Sequence, residues 1–434
     1  MKQLIQILGV LLIHAGARAQ TSVPAYKPEA KFEQMVAVYN TNDSAAYAKY
    51  YLSILADQSK VGQNVKQTLS EYRFSNGKLK LEKVKPLSAT ETELTLQTVA
   101  YGSWMNILWV TDSAQNYKEH HMRPIRLGTD FLQKGSLSQK EVLTATAAYI
   151  TKLADQKLFA GNVLIANNGT ILFNRSYGNN PVGKANSLQQ QFGLASMGKL
   201  FTTISILQLA DRHKLSLDDS VGKLLPQLKN AALKGITVKQ LLTHTSGMGD
   251  YFEDPANDPM TGKELKSVDF LTAIEKDKPH FAPGKGFRYS NTGFLLLGLI
   301  IEKASGKGFQ HYVQGNICKP AGMANTVVDS GAGGGKSTVS DIYNLSVAVK
   351  NGKLLKPSTT KTFLTTHEGE WGLGQEYQAL GDEVITGHSG GFIGICTELN
   401  MYQKGGYTVV ILSNTEPPFG HFISDKIKEL LVRN

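Results

Sequence analysis

Cysteine occurs at only two positions, Cys318 and Cys396, in a chain of 434 residues. Two thiols with no clustered histidines give no structural zinc site, and they are too few for a disulfide scaffold. Each lies in apolar sequence, Gly315 to Met323 and Ile393 to Leu399, so two separately buried thiols are expected. Runs of one charge sign are missing as well. The net charge is +10, yet Lys and Arg are scattered singly, with no arm or motif for nucleic acid. The excess therefore reads as a solubility term, with a weak attraction to anionic envelope polymers. Beyond the first residues no apolar stretch reaches the length of a membrane span. Internal repeats and low-complexity tracts are absent too.

What is present starts with a leader. Lys2 precedes the apolar stretch Leu4 to Ile13, and Ala17-Arg18-Ala19 supplies small residues where a signal peptidase cuts. A signal peptide over residues 1–19, cleaved after Ala19, predicts a secreted or periplasmic protein with no transmembrane segment after cleavage. No cysteine sits at the cleavage site, so a lipid anchor there is not supported.

Two regions of different texture follow. Phe32, Met35, Val36, Val38 and Tyr39 recur at helical spacing, predicting helix from about Phe32 to Ala56. Asn76-Gly77 reads as a hairpin turn, with strands over Leu79 to Val84, Glu93 to Ala100 and Trp104 to Val110. The order suggests a small α+β domain and resembles the NTF2-like cones fused to some exported hydrolases. Adjacent strand residues point to opposite faces, so His120 and His121 cannot share a metal, and a solvated pair is expected. The polar segment 133–138 marks a boundary, giving an accessory domain over 20–137 and a larger one over 138–434. In the larger domain a helix from Glu141 to Gln156 leads into strands Asn162 to Asn167 and Ile171 to Ser176, turned by Asn168-Gly169. A helix-rich middle spans Ser196 to Gly315. Strands return near Glu383, Ile393 to Met401 and Tyr407 to Ser413, before an amphipathic helix at Ile423 to Val432. Strands flanking a helical insert imply one sheet built from distant pieces, covered by helices.

Three short stretches carry chemistry. Ser196 and Lys199 stand three apart at the start of an apolar helix, which puts both side chains on one face. A serine hydroxyl needs a neighbouring proton acceptor, and a lysine whose pKa is lowered by burial can be one. Taken alone, the spacing equally describes an ordinary helix start with a solvated lysine. Tyr289-Ser290-Asn291 precedes a second apolar helix. A tyrosinate near an ammonium can act as base, and Asn291 can bind an amide; a loop tyrosine with a helix-capping Asn also fits. Gly387-His388-Ser389-Gly390-Gly391 opens onto a strand, where glycines let a substrate lie against the edge and free N–H groups bind an oxyanion. A tight turn with a surface histidine is the plainer alternative.

In this order and at these separations, the three stretches resemble the active-site triplet of the penicillin-recognising serine hydrolases. Class C β-lactamases, D-Ala-D-Ala carboxypeptidases and family VIII esterases are the closest forms. Ile236 to Gly247, containing His244-Thr245-Ser246-Gly247, and Gly333-Gly334-Gly335-Lys336-Ser337-Thr338 with Asp341 match two further blocks of that family. The resemblance covers about Leu143 to the C-terminus. It implies an α/β (α+β) sandwich with an all-helical subdomain, of the β-lactamase/transpeptidase type, and a cleft between the two. It also implies that Ser196 is acylated while Lys199 and Tyr289 shuttle its proton. Asn291, His388, Ser389, Gly390 and Gly391 would bind the substrate, with Ser196 and Gly391 N–H groups as the oxyanion hole. His388 would face a substrate carboxylate or leaving group. The reaction implied is acyl transfer to water with no metal or cofactor, on D-Ala-type peptides, of peptidoglycan origin among others, or small carboxylic esters. Tyr-x-Asn argues against class A β-lactamases. The His-Ser-Gly form, with a largely neutral histidine, argues against efficient β-lactam hydrolysis and leaves only a weak β-lactamase. A non-catalytic sensor or assembly protein is the alternative of another class. His244 reads as structural. Gly333 to Ser337 lacks the leading glycine of a phosphate loop, since Ser330 stands there, and is rejected as one.

Overall fold

A computed structural model of the chain describes residues 30–74, 77–123, 132, 134–253 and 267–433. The expected leader lies outside these residues. The contacts divide the chain into two compact units, one holding the described residues through Arg123 and the other those from Leu132 onward.

The first unit is a helical layer on an antiparallel sheet. Helices α1 (Ala30–Tyr39), α2 (Ser44–Ile54) and α3 (Val61–Phe74) precede a meander of β1 (Leu79–Pro86), β2 (Glu91–Thr98), β3 (Trp104–Thr111) and β4 (Tyr117–Arg123), paired in sequence order. The single helix expected from Phe32 to Ala56 is broken. Asn42 takes a left-handed conformation, φ 51°, and the Asp43 carboxylate caps α2 by accepting the Ala45 N–H. Gly77 follows α3 and not a strand, so the expected hairpin turn is a helix-to-strand connection, and Asn76 lies outside the described residues. His120 is a correction too. It is buried, with Nε2 2.9 Å from both Glu71 carboxylate oxygens and Nδ1 2.5 Å from the Tyr117 hydroxyl. Alternation along β4 turned it inward, and a carboxylate from α3 offsets the cost of burying an imidazole.

The second unit holds an eight-stranded antiparallel sheet in the order β6-β5-β14-β13-β12-β11-β10-β9. Its first pieces are β5 (Gly161–Asn167) and β6 (Thr170–Tyr177). Asn168 and Gly169 join them with φ of 46° and 86°, the two positive values that a tight hairpin needs. The short strand β7 (Phe192–Gly193) pairs with β8 (Lys336–Ser337) apart from the main sheet. The remaining strands of the sheet come from far along the chain: β9 (His367–Glu368), β10 (Trp371–Gly372), β11 (Glu376–Leu380), β12 (Glu383–Phe392), β13 (Ile395–Tyr402) and β14 (Tyr407–Ser413). The two sets meet where β5 pairs with β14.

Both faces of this sheet are covered, so β5 and β14 are buried almost residue by residue. On one face, Leu164, Ala166, Val410 and Leu412 join a core with helices α5 (Lys199–Asp211), α6 (Asn291–Ser305) and α7 (Val339–Lys350). The other face carries α4 (Gln139–Asp155) and α8 (Phe419–Leu431), which pack on each other and on β6, β13 and β14. A capping box of Ser138 and Glu141 starts α4. Helix α5 is buried around nearly its whole circumference, and its buried polar residues find partners, Thr202 on the Gly331 carbonyl, Ser205 on the Phe201 carbonyl and Gln208 on the Leu354 carbonyl. Cys318 and Cys396 are both buried and both free.

Candidate active site

Ser196 sits in a short 3₁₀ turn, Ala195–Gly198, that runs directly into α5. The turn is strained at Ala195, whose φ is +47°, a conformation that a side chain makes costly. Two neighbours hold it. The Gly334 N–H donates to the Ala195 carbonyl at 2.9 Å, and the Leu194 N–H donates to the Gly335 carbonyl at 3.0 Å. A methyl group on Gly333 would stand 2.5 Å from the Ala195 carbonyl oxygen, so the glycine tract is what lets this loop reach the serine. The tract is thus a brace for the serine turn.

Lys199 lies one turn on and is 0 % exposed. Its Nζ is 2.6 Å from Asn291 Oδ1, 2.5 Å from the Ala332 carbonyl and 3.2 Å from Ser196 Oγ. Burial pulls its pKa from 10.5 down to about 7, against the opposing pull of the Asp250 carboxylate. The neutral amine is therefore accessible near neutral pH. A neutral amine has two N–H bonds and one lone pair. With two carbonyl oxygens taking the N–H bonds, the lone pair is left for Ser196 Oγ.

Tyr289 and Asn291 come from the start of α6, which Ser290 caps by accepting the Gly293 N–H at 2.9 Å. The Tyr289 hydroxyl hydrogen-bonds Ser196, and burial pushes its pKa far above the usual phenol value. It is a phenol at neutral pH, not the tyrosinate its motif suggested. Asn291 is oriented by Asp250, whose Oδ2 accepts both the Asn291 N–H at 3.0 Å and its Nδ2–H at 2.7 Å. Oδ1 of Asn291 is thereby turned to Lys199. Nothing in the spacing singled out Asp250, which follows the His-Thr-Ser-Gly block by three residues.

His244 accepts the Ser290 N–H on Nδ1 at 3.1 Å, so its proton is on Nε2. It is fully buried, packs 4.3 Å from the Tyr289 ring and 4.7 Å from Trp371, and burial holds its pKa well below the ordinary value. It works as a neutral spacer behind Tyr289, which agrees with a structural reading.

The third stretch lies on β12, alongside the serine turn. Room for a methyl on Gly390 is closed by Met197 N at 3.1 Å and Thr397 Oγ1 at 2.5 Å. His388 is 2 % exposed, edge-on to Trp371 at 5.4 Å, with Nδ1 on the Ser389 carbonyl. Burial lowers its pKa, which leaves it neutral. It is buried on the same face of β12 as Gly390, within electrostatic reach of Lys199, and is not the surface histidine of a plain turn. Strand β11 stops pairing at Gly387, opposite Glu376. Past that point the Ser389 N–H donates to Glu376 Oε1 at 3.0 Å, which fixes its direction toward the unpaired edge. Strand alternation sends the Gly391 N–H the same way. Ser196, Lys199, Tyr289, Asn291, Ser389, Gly390 and Gly391 thus converge, with the buried His388 within electrostatic reach of Lys199.

This fold and this convergence define a β-lactamase/transpeptidase-like protein. The chain belongs to the Beta-lactamase family, whose model matches residues 146–433. Among curated relatives, a penicillin-binding protein of Bacillus subtilis (strain 168) is 36% identical over 184 residues, 41% of this chain and 39% of that protein. Protein flp of Staphylococcus aureus (strain COL) is 36% identical over 170 residues, 38% of this chain and 34% of the relative. The match therefore spans well under half the length of these relatives. Among solved structures, a penicillin binding protein from Bacillus halodurans aligns with TM-score 0.59 and 27% identity, over 65% of this chain and 98% of that one. The D-amino acid amidase of Ochrobactrum anthropi SV3 aligns equally well, TM-score 0.59 over 67% of this chain and 97% of that chain, at 18% identity, and so shares the fold. Among the described residues no helix is long and apolar enough to cross a membrane.

Proposed function

We propose that the protein is an exported serine hydrolase that works through an acyl-enzyme on Ser196, acting on D-Ala-type peptides or small carboxylic esters. The observation that carries this is the Lys199 amine, buried, with a pKa of about 7, its two N–H bonds directed to Asn291 and Ala332 and its lone pair left to Ser196 Oγ. Lys199 takes the serine proton as Oγ attacks the carbonyl, and Tyr289, a phenol, passes a proton to the departing group. The Lys199 ammonium then returns its proton to the Tyr289 oxygen, and the neutral amine serves again as base for the water that releases the acyl group. The N–H groups of Ser196 and Gly391 hold the developing oxyanion, a contact worth about 3–4 kcal/mol per donor where it has been measured in other enzymes. Residues 1–19 act as the export signal, residues 20–137 form an accessory domain, and residues 138–434 carry the chemistry. The test is covalent labelling with a fluorophosphonate probe, beside turnover of a D-Ala-D-Ala peptide and a short-chain p-nitrophenyl ester. Wild type should label and turn over at least one substrate, and Ser196→Ala should do neither. Equal absence of labelling in both proteins would end the hydrolase reading.

A further inference from the structure

The first unit encloses a cavity of its own, between its three helices and the face of its sheet. It holds about 460 Å³ of space, counted out to its mouth, so the enclosed part suits a single ring or a short chain. Rings make much of the wall: Tyr39 from α1, Tyr47, Tyr50 and Tyr51 from α2, and Trp109 from β3. The buried phenols are already engaged. Tyr47 donates to the Tyr39 carbonyl at 2.7 Å, and the Tyr51 hydroxyl lies 2.6 Å from Thr68 Oγ1. What these residues offer an occupant is mainly ring surface, and the lining as a whole is mostly apolar.

An ion pair breaks that lining. Glu71 of α3 and His120 of β4 both border the cavity, and both are buried. The Tyr117 hydroxyl donates to Asn64 Oδ1 at 3.1 Å, so at its 2.5 Å contact with His120 Nδ1 the imidazole is the donor. Nε2 donates to Glu71 as well, which makes the pair an imidazolium and a carboxylate whose charges cancel. A carboxylate has about four acceptor positions. Gln67 Nε2 at 2.9 Å and His120 Nε2 supply two donors, so Glu71 has the capacity to accept another from the cavity.

We infer that the first unit binds a small uncharged ligand, an aromatic or short aliphatic body carrying one hydroxyl, with the body among the rings and the hydroxyl donating to Glu71. A charged ligand fits less well, because it would give up its water to an apolar wall and to an ion pair already in balance. The inference concerns the first unit alone and stands whether or not Ser196 is acylated.

Three probes that differ in one group test it on the full chain by fluorine NMR titration: 4-fluorobenzyl alcohol, 4-fluorotoluene and 4-fluorobenzoate. The alcohol should bind at least about fivefold more tightly than the toluene, the net worth of one hydrogen bond, and at least about tenfold more tightly than the benzoate. Its ring protons should give nuclear Overhauser effects to the methyl groups of Val36, Leu96 and Ile107, which line the cavity. Val36→Phe fills part of the space and should weaken the alcohol at least about tenfold, while Ser196→Ala should leave its affinity unchanged. Failure of the alcohol to bind wild type overturns the inference, as does a toluene or benzoate that binds as tightly. So do contacts to methyl groups elsewhere in the chain, or a Val36→Phe protein that melts cooperatively yet binds as wild type does. If Val36→Phe does not fold, the methyl contacts decide.

Discussion

Replacing Asp250 by asparagine should move the acid limb of the reaction to lower pH. In the proposed mechanism Lys199 must lose its proton before it can accept one from Ser196, so the rate should rise with pH through a midpoint set by the lowered Lys199 pKa of about 7. Two effects set that value: burial lowers it, and the Asp250 carboxylate partly restores it. The path from Nζ through the Asn291 amide to Asp250 runs over bonds of 2.6 and 2.7 Å. That places the two charges at about 6 Å, where an effective dielectric of about 20–40 gives about 1.5–3 kcal/mol, or about 1–2 pH units. Asp250→Asn removes this support and leaves the burial, so the midpoint should fall by that amount. An asparagine oxygen can still accept the two Asn291 N–H groups, so the geometry is retained. The assay is the second-order rate of fluorophosphonate labelling as a function of pH, which depends on no titrating substrate. A midpoint that stays in place or rises would refute the assigned balance of burial and charge.

Three other outcomes are expected. Gly390→Val forces β12 away from the serine turn, because Met197 N and Thr397 Oγ1 occupy the space; it should cost about 1–3 kcal/mol, lower Tm by several degrees and abolish labelling. Burial alone would pull the His120 pKa down, but the Glu71 carboxylate outweighs it and holds it above 6.5. Stability from that pair is therefore complete below pH 6.5 and is lost as pH rises through the folded-state value, and His120→Ala should cost the first unit about 3 kcal/mol, read by thermal melting across pH. Cys318 and Cys396 should resist a thiol reagent in the native protein and react fully, as two thiols, once it is denatured without reductant.

What could be read from residues alone follows the range of the forces involved. The β5–β6 hairpin is legible because Asn-Gly accepts two positive φ values, a local requirement. Helix α5 is legible because Leu200, Phe201, Ile204, Ile206, Leu207 and Leu209 form a dense apolar run. The serine, lysine, tyrosine and asparagine are legible because two helix starts carry them at fixed spacing. Helix α3 was missed: Val61–Phe74 has few apolar residues, and it is tied down by long-range polar contacts such as Tyr51 to Thr68 at 2.6 Å. His120 was misread for the same reason, since its partner Glu71 stands 49 residues away. Asp250 and Glu376 gave no signal at all. Their importance comes from which carboxylate ends up beside which amide once β11 and α6 are in place, and nothing short of the fold contains that information.

The meeting of β5 with β14 has a consequence for how the molecule comes into being. The serine turn at Ala195–Gly198 and β12 at Glu383–Phe392 lie far apart in the second unit, and the central sheet cannot close until the last strands have left the ribosome. A chain interrupted before β12 has the Lys199 partners Asn291 and Ala332 but lacks the strand that closes on the serine turn at Gly390. Loop closure on this scale makes folding slow, and under the acyl-enzyme mechanism proposed above an unfinished chain would carry no working site. Competence arrives all at once, with the final hairpin.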